Sequence, residues 1–285
     1  MKYKLICTDM DGTLLNASHE VSERNIAAIN KAHELGVKIA IATGRMYNSA
    51  AYYADLIGVK APVISANGAF IRGKNKEDVI YKKVLGMDNC MKILAILNKY
   101  DIIPHYHTPE AVFSGDLVYS AKIYNDRNSS VPDELKIDVN IIKDMDEWEK
   151  VFRDQDEDIL KCIGVDEDVE KILKAKEELR KIEGIEVVSS YISNIEINGK
   201  DVTKGRAVEV LASLYNIDRD EIICIGDNEN DLSMIEYAGL GVAMGNAEEY
   251  VKERADYVTT TNEEDGVAKV IEKFVIEEYL REQQK

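Results

Sequence analysis

Short apolar runs alternate with amphipathic stretches along most of the chain. Residues 4–10 read as a buried strand followed by a turn, and a helix is expected after Ser22, with Ile26, Ile29 and Leu35 on one face and Gly36 ending it. A second apolar run over 37–42 leads into Thr43-Gly44-Arg45, a helix to about Ile57 stopped by Gly58, and a third strand at 62–66. Strands that alternate with helices imply a parallel sheet with right-handed crossovers.

The pattern changes after about Leu85. A helix over 88–100 leads into short polar pieces that read as strands and contain Pro104, Pro109 and Pro132. A strand at 159–165, a charged helix over 167–182 and Gly184 close this stretch, so it reads as an inserted domain. From about Val188 the first pattern is expected to resume, with strands at 221–225, 240–244 and 256–260 and a long helix from about Glu263.

Composition narrows the function classes. A chain of 285 residues with 45% hydrophobic content can bury a sizeable core, and its length suggests two domains. The formal net charge of -17, with no strong Lys/Arg cluster, argues against nucleic acid as a partner. An acidic surface also repels anionic metabolites, so phosphate chemistry here needs a local cation and well-placed donors. The apolar run at the N-terminus is too short for a signal-peptide core, and no later run approaches a membrane span. Cys7, Cys90, Cys162 and Cys224 form no C-x-x-C pair and read as buried thiols, so the expected location is the cytoplasm. The acidic run over 154–158 reads as a solvated loop.

In an open parallel sheet, ligands bind beyond the carboxyl ends of the strands, and the polar motifs sit there. Asp9-Met10-Asp11-Gly12-Thr13-Leu14 follows the first strand, Thr43-Gly44-Arg45 the second, and Gly226-Asp227-Asn228-Glu229-Asn230-Asp231 the run over 222–225. Thr203-Lys204-Gly205 opens the helix before that run. A calcium-binding EF-hand would need glycine where Leu14 stands and a helix where a strand is expected. Gathering Asp9, Asp11, Asp227 and Asp231 at one sheet edge calls for a cation, because two carboxylates ~4 Å apart repel by roughly 4 kcal/mol at an effective dielectric near 20. Oxygen ligands without His or Cys favour Mg²⁺. Thr43, Lys204 and Asn230 supply phosphate donors that a structural calcium site would not need.

In these motifs and their order, the chain resembles the haloacid dehalogenase superfamily of phosphohydrolases, in particular its Cof-type members with a large α/β cap. Residues 241–247 and 264–268 also resemble the Cof-type C-terminal pattern. The resemblance implies an α/β fold with a Rossmann-like parallel-sheet core, residues 1–84 and 188–285, and an inserted α+β cap over 85–187. It implies Asp9 as nucleophile and Asp11 as general acid and base. Asp9 and Asp227 would ligate Mg²⁺ with the Asp11 backbone carbonyl, and Asp231 would support the metal. Thr43, Lys204 and Asn230 would hold the phosphoryl oxygens, while Gly12 and Gly44 let backbone N–H groups approach.

The expected activity is therefore hydrolysis of a small phosphorylated metabolite: a sugar phosphate, a flavin-type phosphate or pyridoxal phosphate. A phosphomutase would use the same aspartates. A silent phosphometabolite sensor would be free to lose Asp9 or Asp11, and this chain has both. Arg45 reads as a substrate-side contact and Asn67-Gly68 as a turn; His105 and His107 read first as solvated or core-satisfied histidines of a cap strand, and Trp148 and Tyr106 as packing residues of the cap. Oligomeric state is not legible.

Overall fold

The computed structural model describes residues 2–73 and 79–284. The chain opens with β1 (Leu5–Thr8), α1 (Glu23–Glu34), β2 (Lys38–Ile41), α2 (Tyr47–Leu56) and β3 (Val63–Ser65). Ser22 caps α1 by accepting the Asn25 N–H, and Gly36, at φ +86°, lets the chain leave the helix. Every residue of β1 is buried. Leu5 and Cys7 pack into one apolar cluster and Ile6 into another, so the strand is covered on both faces and reads as one continuous apolar run. Cutting Ile6 to alanine would remove contacts worth about 2–5 kcal/mol.

β4 (Phe70–Arg72) and β5 (Val79–Lys82) follow; β4 pairs antiparallel with β3 and β5 with β4, giving a three-stranded sheet. A single bridge, Ala42 to Ile64, joins β3 to the edge of the main sheet. The strand expected at 62–66 is present, but the hairpin after it was not foreseen.

The inserted region contains α3 (Met87–Lys99), β6 (Ile103–His107), β7 (Ala111–Ser114), α4 (Tyr119–Arg127), β8 (Asp138–Ile141) and α5 (Met145–Asp154). β9 (Lys161–Val165), α6 (Val169–Leu179), β10 (Ile185–Val188) and β11 (Asn194–Gly199) complete it. Its strands form a six-stranded sheet in the order β10-β11-β9-β6-β7-β8, antiparallel except for β7 beside β8. Apolar residues of α3, α5 and α6 cover one face, where Tyr106, Trp148 and Phe152 stack at centroid distances of 4.7–5.5 Å. The packing role expected of Tyr106 and Trp148 is what they perform.

Two features differ from the sequence reading. β11 extends the six-stranded sheet to Gly199, beyond position 188 where the core pattern was expected to resume. Helices α4 and α5 occupy stretches read as strand-like; α4 buries only Ala121 and Tyr124, too few for a visible period.

The chain then returns through α7 (Lys204–Tyr215), β12 (Ile222–Gly226), α8 (Leu232–Tyr237), β13 (Leu240–Ala243), α9 (Glu249–Lys252), β14 (Tyr257–Val258) and α10 (Gly266–Ile271). The parallel sheet runs β14-β13-β12-β1-β2, with Cys7 level with Cys224 on one side and Ala40 on the other. The C-terminal helix starts at Gly266 instead of 263, because Asp265 adopts a left-handed φ of 59°.

Candidate active site

β1 and β12 are hydrogen-bonded neighbours, and Asp9 N–H donates to Ile225 O at 2.9 Å, so Asp9 and Asp227 leave the same edge of the sheet side by side. Thr203 caps α7 by accepting the Arg206 N–H, which sets Lys204 at the first helical position under that edge. The Lys204 Nζ donates to Asp9 Oδ1 at 2.7 Å and to Asp231 Oδ1 at 2.6 Å, and the side chain is fully buried. Asp231 spends its other oxygen on the backbone N–H groups of Asp227 (2.9 Å) and Asn228 (3.1 Å). Thr13 Oγ1 donates to Asp227 Oδ1 at 2.7 Å. Gly12 sits at φ +77°, and a Cβ there would lie 2.4 Å from Asp227 Oδ2. Only glycine lets the first motif lie against the third.

Carboxylate oxygens of Asp9, Asp227 and Asp231 lie within 4.8 Å of one another, so each ionised pair repels by roughly 3 kcal/mol at an effective dielectric near 20. Burial pushes the Asp9 carboxyl well above its usual range; Lys204 opposes this, while Asp231, Asp227 and Asp11 add to it. Burial, with Asp231 next, lifts Asp227 to about 7. Three ionised carboxylates with one lysine leave a charge of −2, which one divalent cation cancels. An all-oxygen cluster with room for water suits Mg²⁺. The donor set therefore fits the expected metal.

Asp11 is held elsewhere in the site. Arg45 grips it through Nε to Oδ2 at 2.7 Å and Nη2 to Oδ1 at 2.5 Å, and its guanidinium lies 5.1 Å from the Tyr53 ring. Arg45 thus meets the predicted acid and base directly. Thr43 is buried, its N–H donating to Ile64 O at 2.9 Å, and its hydroxyl accepts the Arg45 N–H at 3.2 Å. Asn230 is buried too; its Nδ2 donates to Asn67 Oδ1 at 3.3 Å, and its own Oδ1 has no partner among the described residues.

Asp9, Asp11, Thr43, Gly44, Arg45 and Asn230 share one cavity of about 580 Å³. His19, Ser49, Tyr53 and Asn228 of the core also line it, and the inserted region adds Tyr119, Tyr124, Arg127, Lys161, Tyr191 and Glu196. Sequence reasoning named none of these six. Asn67 is more than the turn residue expected: it is 2% exposed and also donates to Glu196 and Asn198. His105 and His107 are buried in the sheet, the core alternative of their reading and not the solvated one. The run over 154–158 is largely exposed, yet Asp156 accepts the Met87 N–H at 2.7 Å and Asp158 pairs with Lys82 at 3.1 Å. All four cysteines are buried. Among the described residues, no helix is long and apolar enough to cross a membrane.

The family described as haloacid dehalogenase-like hydrolase matches residues 6–271. Phosphatase YwpJ of Bacillus subtilis is 32% identical, the match covering 93% of this chain and 97% of the relative. From the same organism, 5-amino-6-(5-phospho-D-ribitylamino)uracil phosphatase YcsE is 33% identical over 96% of each chain. A solved haloacid dehalogenase-like hydrolase from B. subtilis superposes with a TM-score of 0.83 at 30% identity, covering 95% of this chain and all of that one. The chain belongs to the haloacid dehalogenase-like hydrolase family and is an enzyme of its phosphatase branch.

Proposed function

We propose that this phosphatase hydrolyses small phosphorylated metabolites by passing the phosphoryl group to Asp9 and then to water, with Mg²⁺ held by Asp9, Asp227, Asp231 and the Asp11 backbone carbonyl. The observation that carries this is the buried cluster of Asp9, Asp227 and Asp231 around Lys204, which reaches, through Asp9, a cavity large enough for a metabolite. When bound, the cation supplies the positive charge that allows a carboxylate to meet a phosphate dianion.

Asp9 is the nucleophile: its carboxylate oxygen bonds to phosphorus as the ester oxygen departs. Asp11 gives that oxygen its proton and then takes one from the water that attacks the phosphoryl group, which restores the Asp9 carboxylate and releases phosphate. Lys204, Thr43 and Asn230 hold phosphoryl oxygens, with the backbone at Gly12 and Gly44 close enough to join them. In the arrangement seen here Arg45 pairs with the ionised Asp11 carboxylate, so Asp11 leaves that pair and takes up a proton before it serves as the acid. The wall provided by the inserted region, rich in tyrosine, suits a leaving group with a ring or polyol of modest size. Relatives support that breadth, since one is named for a ribitylaminouracil phosphate and a structural neighbour of 26% identity is a sugar phosphatase. The division into core and cap is part of the same reading: residues after Gly199 rejoin the core, and the insertion closes the site.

The test is phosphate release from a panel of sugar, flavin, pyridoxal and ribitylaminouracil phosphates, with Mg²⁺ and again after exhaustive chelation. The expected result is turnover of at least one compound that chelation abolishes and Mg²⁺ restores. Undiminished turnover without metal would overturn the site assignment.

A further inference from the structure

β9 and β11 lie side by side, with Lys161 opposite Asn198 and Ile163 opposite Glu196. Paired residues of antiparallel strands share a face, so Lys161, Glu196 and Asn198 project together from the side of the sheet opposite the Tyr106 cluster. Along β11, Ile195 and Ile197 enter that apolar cluster, while Asn194, Glu196 and Asn198 alternate away from it. A polar strand face of this kind is ordinarily solvated. Here Lys161 is 1% exposed and Glu196 4%, because the face is pressed against the loops that follow β2 and β3.

The contacts cross between the two sheets and end on the phosphate-binding motifs. Lys161 Nζ donates to Glu196 Oε2 at 2.5 Å and to the backbone carbonyl of Gly44 at 2.9 Å. Asn67 Nδ2 donates to Glu196 Oε2 at 2.7 Å, its N–H donates to Thr43 O at 3.0 Å, and its Oδ1 accepts from Asn230. Asn198 Nδ2 holds Ala66 O at 2.9 Å. Ala66 and Asn67 are both left-handed, at φ 49° and 58°, a conformation uncommon outside glycine that persists where the surroundings over-determine it. Gly44 is equally constrained, since a Cβ there would lie 2.9 Å from both Asn67 Oδ1 and Glu196 Oε2.

Glu196 lines the cavity and could be taken for a ligand of the leaving group. Its hydrogen bonding argues otherwise. A carboxylate accepts about four hydrogen bonds. Lys161 and Asn67 occupy Oε2, while Ser190 at 2.5 Å and Asn194 at 3.5 Å occupy Oε1. Burial would raise this carboxyl, but Lys161, Ser190 and Asn67 together hold it near 2, so it stays charged and saturated. A buried pair of this kind contributes little net stability compared with apolar packing, and its established use is to fix one arrangement of the chain.

We propose that Lys161 and Glu196 are positioning residues for phosphoryl transfer: from the inserted domain they fix the Thr43-Gly44 turn directly and the Asn230 amide through Asn67. The phosphate cradle is then complete only when the six-stranded sheet is seated on the core, which couples closure to catalytic competence. This rests on the reading of Thr43 and Asn230 as phosphoryl ligands.

The experiment compares wild type with Lys161→Met, Glu196→Gln and Asn67→Gly in the full chain. Glycine keeps the left-handed backbone at 67 and removes only the bridging amide, so one variant stays folded even if loss of the ion pair unfolds the others. Affinity for inorganic phosphate in Mg²⁺ is measured by calorimetry, and kcat and KM with an aryl phosphate and a sugar phosphate. The expected result is phosphate affinity weaker by about tenfold or more, and kcat reduced by the same factor for both substrates, since displacing a catalytic group by ~1 Å costs on that scale. A loss confined to the sugar phosphate, with phosphate affinity unchanged, would overturn the proposal and make the pair a leaving-group contact. Unchanged values throughout would overturn it as well. Phosphate affinity needs no turnover, so a wild type that hydrolyses nothing refutes the proposed function while the binding comparison still decides this one.

Discussion

Gly12 and Lys204 show how much of the site rests on single residues. An alanine at 12 must hold φ +77°, which costs about 1–2 kcal/mol, and its Cβ must displace the Asp227 carboxylate. Gly12→Ala is therefore expected to lower kcat at least about tenfold and weaken Mg²⁺ activation, read from initial rates across a Mg²⁺ titration. An unchanged activation curve would mean that Asp227 does not face the metal. Lys204→Met leaves Asp9 and Asp231 buried without their shared cation. About 3–5 kcal/mol of stability should vanish with the activity, measured by denaturant melts without metal, and an unshifted midpoint would contradict the charge accounting. The acidic motifs were legible because each follows an apolar strand and is read within a few residues. Lys161 and Glu196 were not, because their meaning lies in contacts with Gly44 and Asn67, more than a hundred positions away. A single lysine beside Leu160 carries no such signal.

Among the elements, β6 makes the clearest claim about pH. His105 and His107 sit on its inner face, where burial lowers His105 to about 4 and, with Lys161 and His105 adding to it, pushes His107 down as well. A histidine whose folded value lies below its unfolded one contributes stability at high pH that is lost as pH falls. The window runs from about 6.5, the ordinary histidine value, toward 4. Between pH 7 and pH 5 the wild type should thus lose more thermal stability, or gain less, than His105→Asn, the comparison cancelling the opposing contribution of the raised Asp9 and Asp227 carboxyls; equal slopes would refute this. Glu196 acts in a lower window, its stabilisation present above 4.5 and lost toward 2, so the two can be separated. Strand alternation over 194–199 is visible in the sequence and sets the polar residues on one face, but alternation does not tell that the core covers that face. For α5 the signal existed, since Trp148 and Phe152 stand one turn apart, but two buried positions in ten residues make a short period.

At the scale of the molecule, the insertion touches both halves of the catalytic edge. Besides the Lys161 contact, Lys176 and Arg180 on and just after α6 pair with Glu229 at 2.5 and 2.8 Å, inside the loop that carries Asp227 and Asn230. Glu229→Gln is expected to raise KM and to flatten its dependence on ionic strength, because partly exposed ion pairs are screened by salt; a salt response like that of wild type would remove this latch from the account. The two-part architecture was legible from the change in pattern near 85, whereas β10 and β11, which carry the six-stranded sheet on to Gly199, were not read as strands. The central claim is the covalent step on Asp9. Asp11→Asn, which keeps the backbone carbonyl but cannot transfer protons, should be mixed rapidly with an aryl phosphate and Mg²⁺, quenched in acid and mapped by mass spectrometry. The account predicts a burst of phenol equal to the enzyme present, with a phosphoryl group on the peptide containing Asp9. Phenol released in that amount with Asp9 unmodified at every quench time would contradict it.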